Sequence, residues 1–373
     1  MNRLKVLFPI PRFEGGGLER VQLYIARGLI EEGCEIEILS HTIYNDPKKL
    51  IPSNIKIKKI SKNKYTYFVK LLIYLVNKKS FVITSSNDIG CFLLFFKCFF
   101  LKHNCIIWTQ HLSIIGPLQL AKSLRKIKLL IEFFLIKKLI KKSDAVVAVS
   151  ESVASEIQYY INSSLKIDII YNPVMSKKYE LDVVEHINWP WVDDHVATLI
   201  FVGRIEPVKR LDLLIEAFML CRSNIPVRLL IIGEGSEQEK YKKIVKKLSI
   251  ENDCKFMGFQ SNPLPWIKKA NLLVLSSDVE GFGLVLVEAM ACGTQIVSTD
   301  CPSGPAELLE NGKYGRLVPT NNSQKLADAI YKSLKFPIIS SEELRERAKK
   351  FQIEFSVQQY IELIKNLKIT GKD

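Results

Sequence analysis

The sequence predicts an α/β protein of two domains, each a parallel β-sheet with helices on both faces. Three observations carry this. The chain has 373 residues, beyond the roughly 250–300 at which one core stops growing. Near-continuous Val/Ile/Leu runs alternate with amphipathic stretches, the signature of βαβ units whose strands are covered on both faces. The alternation breaks once, over 172–194, where Pro173, Trp189, Pro190 and Trp191 cluster without a period.

The expected elements follow in order. LKVLFPI, CEIEILS, SFVITSS, NCIIWTQ, DAVVAVS and LKIDIIYN read as strands of the first half, with helices near Leu18–Glu32, Tyr67–Lys78, Lys122–Lys142 and Ser152–Ile161. After the break come VATLIFVG, VRLLIIG, CKFMGF, NLLVLSS and TQIVSTD, with helices near Arg210–Cys221, Glu237–Leu248, Pro263–Lys269 and Leu284–Ala291. The boundaries predicted are 1–175 for the first domain, 176–195 for a connection and 196–354 for the second domain. In open α/β sheets ligands bind at the carboxyl ends of strands, so the loops after strands are where chemistry is sought.

Composition narrows the function. Hydrophobic residues make up 47% and charged residues 25%, as in globular proteins. No apolar run reaches the ~18 residues of a membrane span. Cys91–Leu101 is short and carries Lys97, and the N-terminus reads as a strand rather than a secretory signal, so a cytoplasmic location is expected. The eight cysteines include no C-x-x-C pair and the five histidines no H-E-x-x-H, so neither a redox motif nor a metal site is expected. The net charge of +14 lies wholly in the first half. Residues 1–180 hold 28 Lys and Arg against 14 Asp and Glu, and the rest balance. Between Pro47 and Ile131 there are 16 basic residues and one acid, Asp88. Such polarity marks a face for an anionic partner: nucleic acid, a membrane surface or a phosphorylated acceptor. A lysine-rich solvated surface is the plain alternative.

The chemistry-bearing segments sit after strands. Gly15, Gly16 and Gly17 join the first strand to an amphipathic helix, where backbone N–H groups can approach an anion. This is not G-x-G-x-x-G, which argues against a nicotinamide enzyme. In FVGRIEPVKR, Arg204 and Lys209 flank a strand end and can clamp a diphosphate, stabilising the charge that builds on a leaving group. In SSDVEGFGLVLVEAMACG, Glu280 precedes a Gly-Phe-Gly turn and Glu288 follows one turn into a helix. Gly281 and Gly283 leave amides at the helix start for phosphate oxygens. Carboxylates at these places suit sugar hydroxyls and a ribose diol.

Glu280-Gly-Phe-Gly-Leu-Val-Leu-Val-Glu288 resembles the E-x7-E element of retaining GT-B glycosyltransferases of family 4, the glycosyl transferases group 1. GGGLERV, the GR-x4-K of Gly203–Lys209 and CPSGPAELLENGKYGRLVP match further elements in the same order, so the resemblance spans essentially the whole chain. It implies two Rossmann-like domains facing across a cleft: an acceptor domain first, a nucleotide-sugar domain second, and a C-terminal helix (355–373) returning to the first. It implies donor contacts from Gly16, Gly17, Gly203, Arg204, Lys209, Gly233, Met257, Gly258, Glu280, Phe282, Gly283, Leu284 and Glu288. The catalytic set is Arg204, Lys209, Glu280 and His111, the last at the end of NCIIWTQH where relatives place a histidine near the reacting sugar. Retention, no metal ion and a UDP-sugar donor are expected. The absence of a D-x-D element agrees with the second of these.

The acceptor expected is a glycan, lipid-linked, in bacterial surface polysaccharide assembly (O-antigen, capsule or exopolysaccharide). The basic, amphipathic Lys122–Lys142 suits an anionic membrane at the inner face of the cell. The alternative is that its apolar stripe packs on the sheet and its lysines are solvated. Two further function classes stay open: a nucleotide-sugar epimerase of the same fold, and a nucleic-acid-binding protein, against which no reading module is found.

Overall fold

The computed structural model describes residues 4–13, 16–43, 55–84, 86–121, 123–176, 186–192 and 195–370. Gly15 and 177–185 of the expected connection lie outside them. The chain divides into two compact units, Met1–Val174 with Ile353–Asp373, and Met175–Gln352.

The first unit contains strands β1 (Lys5–Pro9), β2 (Arg12–Phe13), β3 (Glu35–Ser40), β4 (Thr42–Ile43), β5 (Lys56–Lys59), β6 (Phe81–Ile83), β7 (Cys105–Gln110), β8 (Ala145–Ala148) and β9 (Asp168–Ile169). Seven form one sheet in the order β5-β3-β1-β6-β7-β8-β9, and β2 pairs with β4. The sheet pairs are parallel, Val6 standing opposite Ile36 on one side and Phe81 on the other. Val6, Leu7, Phe8, Ile106, Ile107 and Trp108 are fully buried, because helices cover both faces. The edge strand β5, KIKK, was not expected. Its lysines give it no apolar run, and lysine on an edge blocks further pairing.

Helix Gly17–Glu31 buries Val21, Ile25 and Leu29 against this sheet. The C-terminal helix Ile353–Thr370 belongs to the same unit. It lies so close to Gly17–Glu31 that a Cβ on Gly28 would fall 2.3 Å from Val357 Cγ2. Ser356 Oγ also donates to the Tyr171 carbonyl at 2.7 Å. Helix Asn87–Phe100 was also missed by sequence reading. Its apolar residues lie all round it, and a Cβ on Gly90 would meet the Trp108 ring at 2.4 Å.

The second unit holds β10 (Ala197–Val202), β11 (Val227–Ile232), β12 (Cys254–Phe256), β13 (Leu272–Leu275), β14 (Gln295–Thr299) and β15 (Arg316–Val318), in the order β12-β11-β10-β13-β14-β15. The pairs are parallel, as in Leu199 opposite both Leu229 and Leu272. Strand order reverses at β10, so the loops after β10 and β13 meet at a topological switch point. The described part of the expected connection is docked rather than free. Trp189 stacks near Trp266 at 6.0 Å between centroids, and Trp191 Nε1 donates to the Asn252 carbonyl at 2.8 Å. Two large aromatic rings gain more by covering the second unit than by facing water.

Candidate functional site

The loop after β10 is shaped by backbone-to-backbone contact. Gly203 N–H donates to the Ile232 carbonyl at 3.0 Å, and Gly233 N–H to the Gly258 carbonyl at 2.8 Å. Gly233 has φ +128, and a Cβ there would sit 1.9 Å from the Gly203 carbonyl oxygen. Only glycine fits such a conformation and approach. Gly203, Gly233 and Gly258 are thereby brought together, with Met257 N–H donating to the Ile231 carbonyl at 2.9 Å. Glu206 anchors the next turn, accepting from Ser236 N–H at 3.2 Å and Ser236 Oγ at 2.7 Å. Arg204, one residue past Gly203, is exposed.

Lys209 and Glu280, 71 positions apart, meet directly. Lys209 Nζ lies 2.6 Å from Glu280 Oε1, with the lysine side chain 24% exposed and the glutamate 8%. Ser277 Oγ donates to the same oxygen at 2.5 Å. The backbone is fixed as well: Ser303 Oγ donates to the Glu280 carbonyl at 2.9 Å, and Ser276 Oγ to the Lys209 carbonyl at 2.8 Å. A lysine carries three donors, so Lys209 can hold Glu280 and still offer N–H groups to an anion.

Sequence reading missed the residue that locks these two loops. Arg210 adopts φ +49 and spans Asp212 and Asp278, with Nε 3.1 Å from Asp212 Oδ1 and Nη1 3.0 Å from Asp278 Oδ1. It also hydrogen-bonds Asn321. The hydrogen bonds it donates to Asp212, and the charges of both carboxylates, raise its pKa. Asp278 N–H meanwhile donates to the Val208 carbonyl at 2.9 Å. The signal in sequence was Asp278, two residues before Glu280, but nothing local identified its partner.

Gly283, at φ +89, caps helix Leu284–Cys292 without a side-chain hydrogen bond. The first-turn amides of that helix carry the partial positive charge of its dipole. The turn is held from behind: Phe282 is buried and its ring lies 5.8 Å from that of Phe351. A Cβ on Gly304 would fall 2.3 Å from the Phe282 carbonyl oxygen. Glu288 is buried on the same helix. Burial, then the Glu288 charge, push the Cys292 thiol up to about 12.

In the first unit, Gly16 is the extended N-cap residue of helix Gly17–Glu31, also without a side-chain cap. Gln22 on that helix contacts His111, Nε2 to Nε2, at 3.1 Å. Which of the two donates is set by the imidazole tautomer and the orientation of the Gln22 amide. His111 Nδ1 and Gln22 Oε1 are buried, and the Asn172 side chain is a further polar neighbour of the imidazole. Burial lowers the His111 pKa to about 4. The imidazole is therefore neutral at pH 7 and presents one N–H.

The second unit thus joins Lys209 to Glu280 just ahead of the N-terminus of helix Leu284–Cys292, with Arg204 on the loop after β10 and Glu288 buried on that helix; these residue types suit a diphosphate and hydroxyl groups. Among the described residues no group of three or more His, Cys, Asp or Glu is placed to hold a metal ion, and no helix is long and apolar enough to cross a membrane.

Both halves of the chain resemble known families. The family "Glycosyl transferases group 1" matches residues 191–351 and "Glycosyltransferase Family 4" matches 15–178. N-acetyl-alpha-D-glucosaminyl L-malate synthase of Bacillus anthracis is 30% identical over 52% of this chain and 51% of its own length. The N-acetylgalactosamine-N,N'-diacetylbacillosaminyl-diphospho-undecaprenol 4-alpha-N-acetylgalactosaminyltransferase of Campylobacter jejuni is 29% identical over 54% of this chain and 53% of its own. The chain spans about half the length of these curated relatives. Anabaena Alr3699/HepE, solved in complex with UDP and glucose, superposes with TM-score 0.75 at 19% identity over 98% of this chain and 100% of that one. That likeness establishes the fold.

Proposed function

Because this chain belongs to the group 1 glycosyltransferases and has the GT-B fold, we propose that it transfers a sugar from a UDP-sugar to a lipid-linked glycan acceptor. The reaction retains anomeric configuration, uses no metal ion and serves bacterial surface polysaccharide assembly at the inner face of the membrane. The observation that carries the reading is the Lys209–Glu280 pair beside the open N-terminus of helix Leu284–Cys292. The relative acting on a diphospho-undecaprenol substrate and the fold neighbour holding UDP and glucose support the acceptor and donor classes.

Each residue has a task in this reading. Arg204, Lys209 and the amides of Phe282, Gly283 and Leu284 hold the diphosphate. Glu280 accepts hydrogen bonds from the transferred sugar, and Glu288 from the ribose. The base lies along Gly203, Gly233, Met257 and Gly258. Gly16 and Gly17 face the phosphates or the acceptor, and neutral His111 gives its ring N–H to a sugar hydroxyl. The acceptor oxygen bonds to the anomeric carbon as the bond to the diphosphate breaks on the same face. The bonding electrons go to the departing phosphate oxygen, which takes the acceptor's proton. Fixed cations stabilise that charge in place of a metal.

Thermal stabilisation in excess EDTA tests the donor site. UDP, GDP, ADP and NAD are compared on wild type and Glu288→Ala. A ligand that binds only the folded state raises the melting temperature by mass action. A UDP shift in wild type that Glu288→Ala abolishes is expected. No shift with UDP, or a shift with NAD alone, refutes the assignment.

A further inference from the structure

The basic first unit carries an apolar surface that the reaction does not use. Helix Ser123–Leu139 turns only Ile136 and Leu139 fully into the core. Leu124 is 81% exposed and Ile131 58%, and Ile127, Leu130, Phe134 and Leu135 are exposed as well. At 100° per residue these six side chains fall in one arc about 140° wide, with buried Ile136 opposite its centre and Leu139 beyond its edge. The apolar stripe therefore faces outward, the reverse of an ordinary surface helix.

Charge frames that stripe. Lys128 falls on one edge of the arc and Lys126 and Lys137 on the other, while Lys138 falls within it near the C-terminal end, its Nζ 4.3 Å from the Phe134 ring centroid. The helix's single acid, Glu132, is directed sideways and accepts from Asn87 Nδ2 at 2.9 Å. Asn87 opens helix Asn87–Phe100, on which Phe95 and Phe99 are 56% and 73% exposed. Isolated exposed apolar side chains need no explanation, but a contiguous patch rimmed by cations does.

We infer that the outward face of helix Ser123–Leu139, with Phe95 and Phe99, is a docking surface that sinks into the interface of an anionic lipid bilayer. The occupant follows from chemistry. An apolar arc with lysines at its edges places methylenes and rings among acyl chains while the ammonium groups reach lipid phosphates. The helix's own charge is complementary, since Arg125, Lys126, Lys128, Lys137 and Lys138 are exposed on it against the single acid Glu132. The inference rests on the membrane reading of the proposed function and adds which face binds and by which side chains.

Vesicle co-sedimentation of the full chain tests it, with phosphatidylcholine vesicles lacking or containing about one-third phosphatidylglycerol. The variants are Ile127→Ser/Ile131→Ser/Phe134→Ser and Lys126→Gln/Lys128→Gln/Lys137→Gln. All six positions are exposed, so UDP-induced stabilisation should match wild type and certify folding. Expected is binding to anionic vesicles that the serine variant weakens by on the order of 100-fold or more. The glutamine variant should weaken it about fivefold per lysine. If wild type binds but both variants bind equally well, the face assignment is overturned and membrane contact itself survives. If wild type fails to bind any vesicle, both fall, while a retained UDP shift leaves the donor-site reading intact. If light scattering shows a dimer that the serine variant dissociates, the face binds a second copy and the inference is overturned.

Discussion

Replacing Lys209 with methionine keeps the length of the side chain and removes its charge. Glu280 then stays 92% enclosed with Ser277 Oγ as its remaining side-chain donor. Breaking a buried ion pair from one side costs about 3–5 kcal/mol. Lys209 is 24% exposed, and Ser277 still serves the carboxylate, so about 2–3 kcal/mol of stability should be lost. Glu280→Gln removes both the charge and the need to neutralise it, and should cost about 1–2 kcal/mol. The double variant should cost less than the two single losses together, by about 1–2 kcal/mol, because the pair is lost only once. On catalysis Lys209→Met should lower kcat by on the order of 100- to 1000-fold, the scale of one fixed donor at a developing oxyanion. Urea denaturation and initial rates with a UDP-sugar read the two effects separately. If stability falls as stated while kcat/KM stays within about threefold, Lys209 is a strut for the Glu280 loop and its role at the diphosphate is refuted. If stability does not change, the ion pair itself is refuted.

Other outcomes follow from the same geometry. Gly233→Ala puts a methyl 1.9 Å from the Gly203 carbonyl oxygen at φ +128, so about 3 kcal/mol or more should be lost together with the UDP shift, measured by denaturation and thermal scans. His111 is held neutral by burial, with a folded pKa of about 4 against an ordinary 6.5. The unfolded chain takes up this proton first as pH falls, so about 3 kcal/mol of stability is complete above pH 6.5 and lost down to pH 4; His111→Gln should flatten that slope in denaturation from pH 4 to 7. Of the eight cysteines only Cys98 is exposed, and burial pushes the Cys91, Cys105, Cys254, Cys292 and Cys301 thiols up to about 12. A thiol reagent at pH 8 should therefore label one cysteine rapidly in the folded protein and eight after denaturation.

What could be read from sequence divides along a physical line. Strands such as ATLIFV and VRLLII are buried on both faces, so hydropathy alone identifies them, and parallel order then puts their loops at one edge. The glycines Gly203, Gly233 and Gly258 were legible for the same reason, since each follows a strand end. Pairings between distant loops were not. Lys209 meets Glu280 because β10 lies beside β13 in the sheet, and a linear pattern carries no strand order. Arg210 was invisible because its left-handed backbone is sustained by Asp212, Asp278 and Asn321 rather than by its own preference. Helix Ser123–Leu139 shows the limit most clearly. Its sequence is apolar and basic on any reading, and periodicity offers two candidate inward faces. Ile136 and Leu139 settle the choice by packing inward, which forces Leu124, Ile127 and Ile131 to the outside. A surface of that kind costs solubility unless something covers it, so its retention in a chain whose charge is gathered in the same unit argues for an apolar, anionic partner.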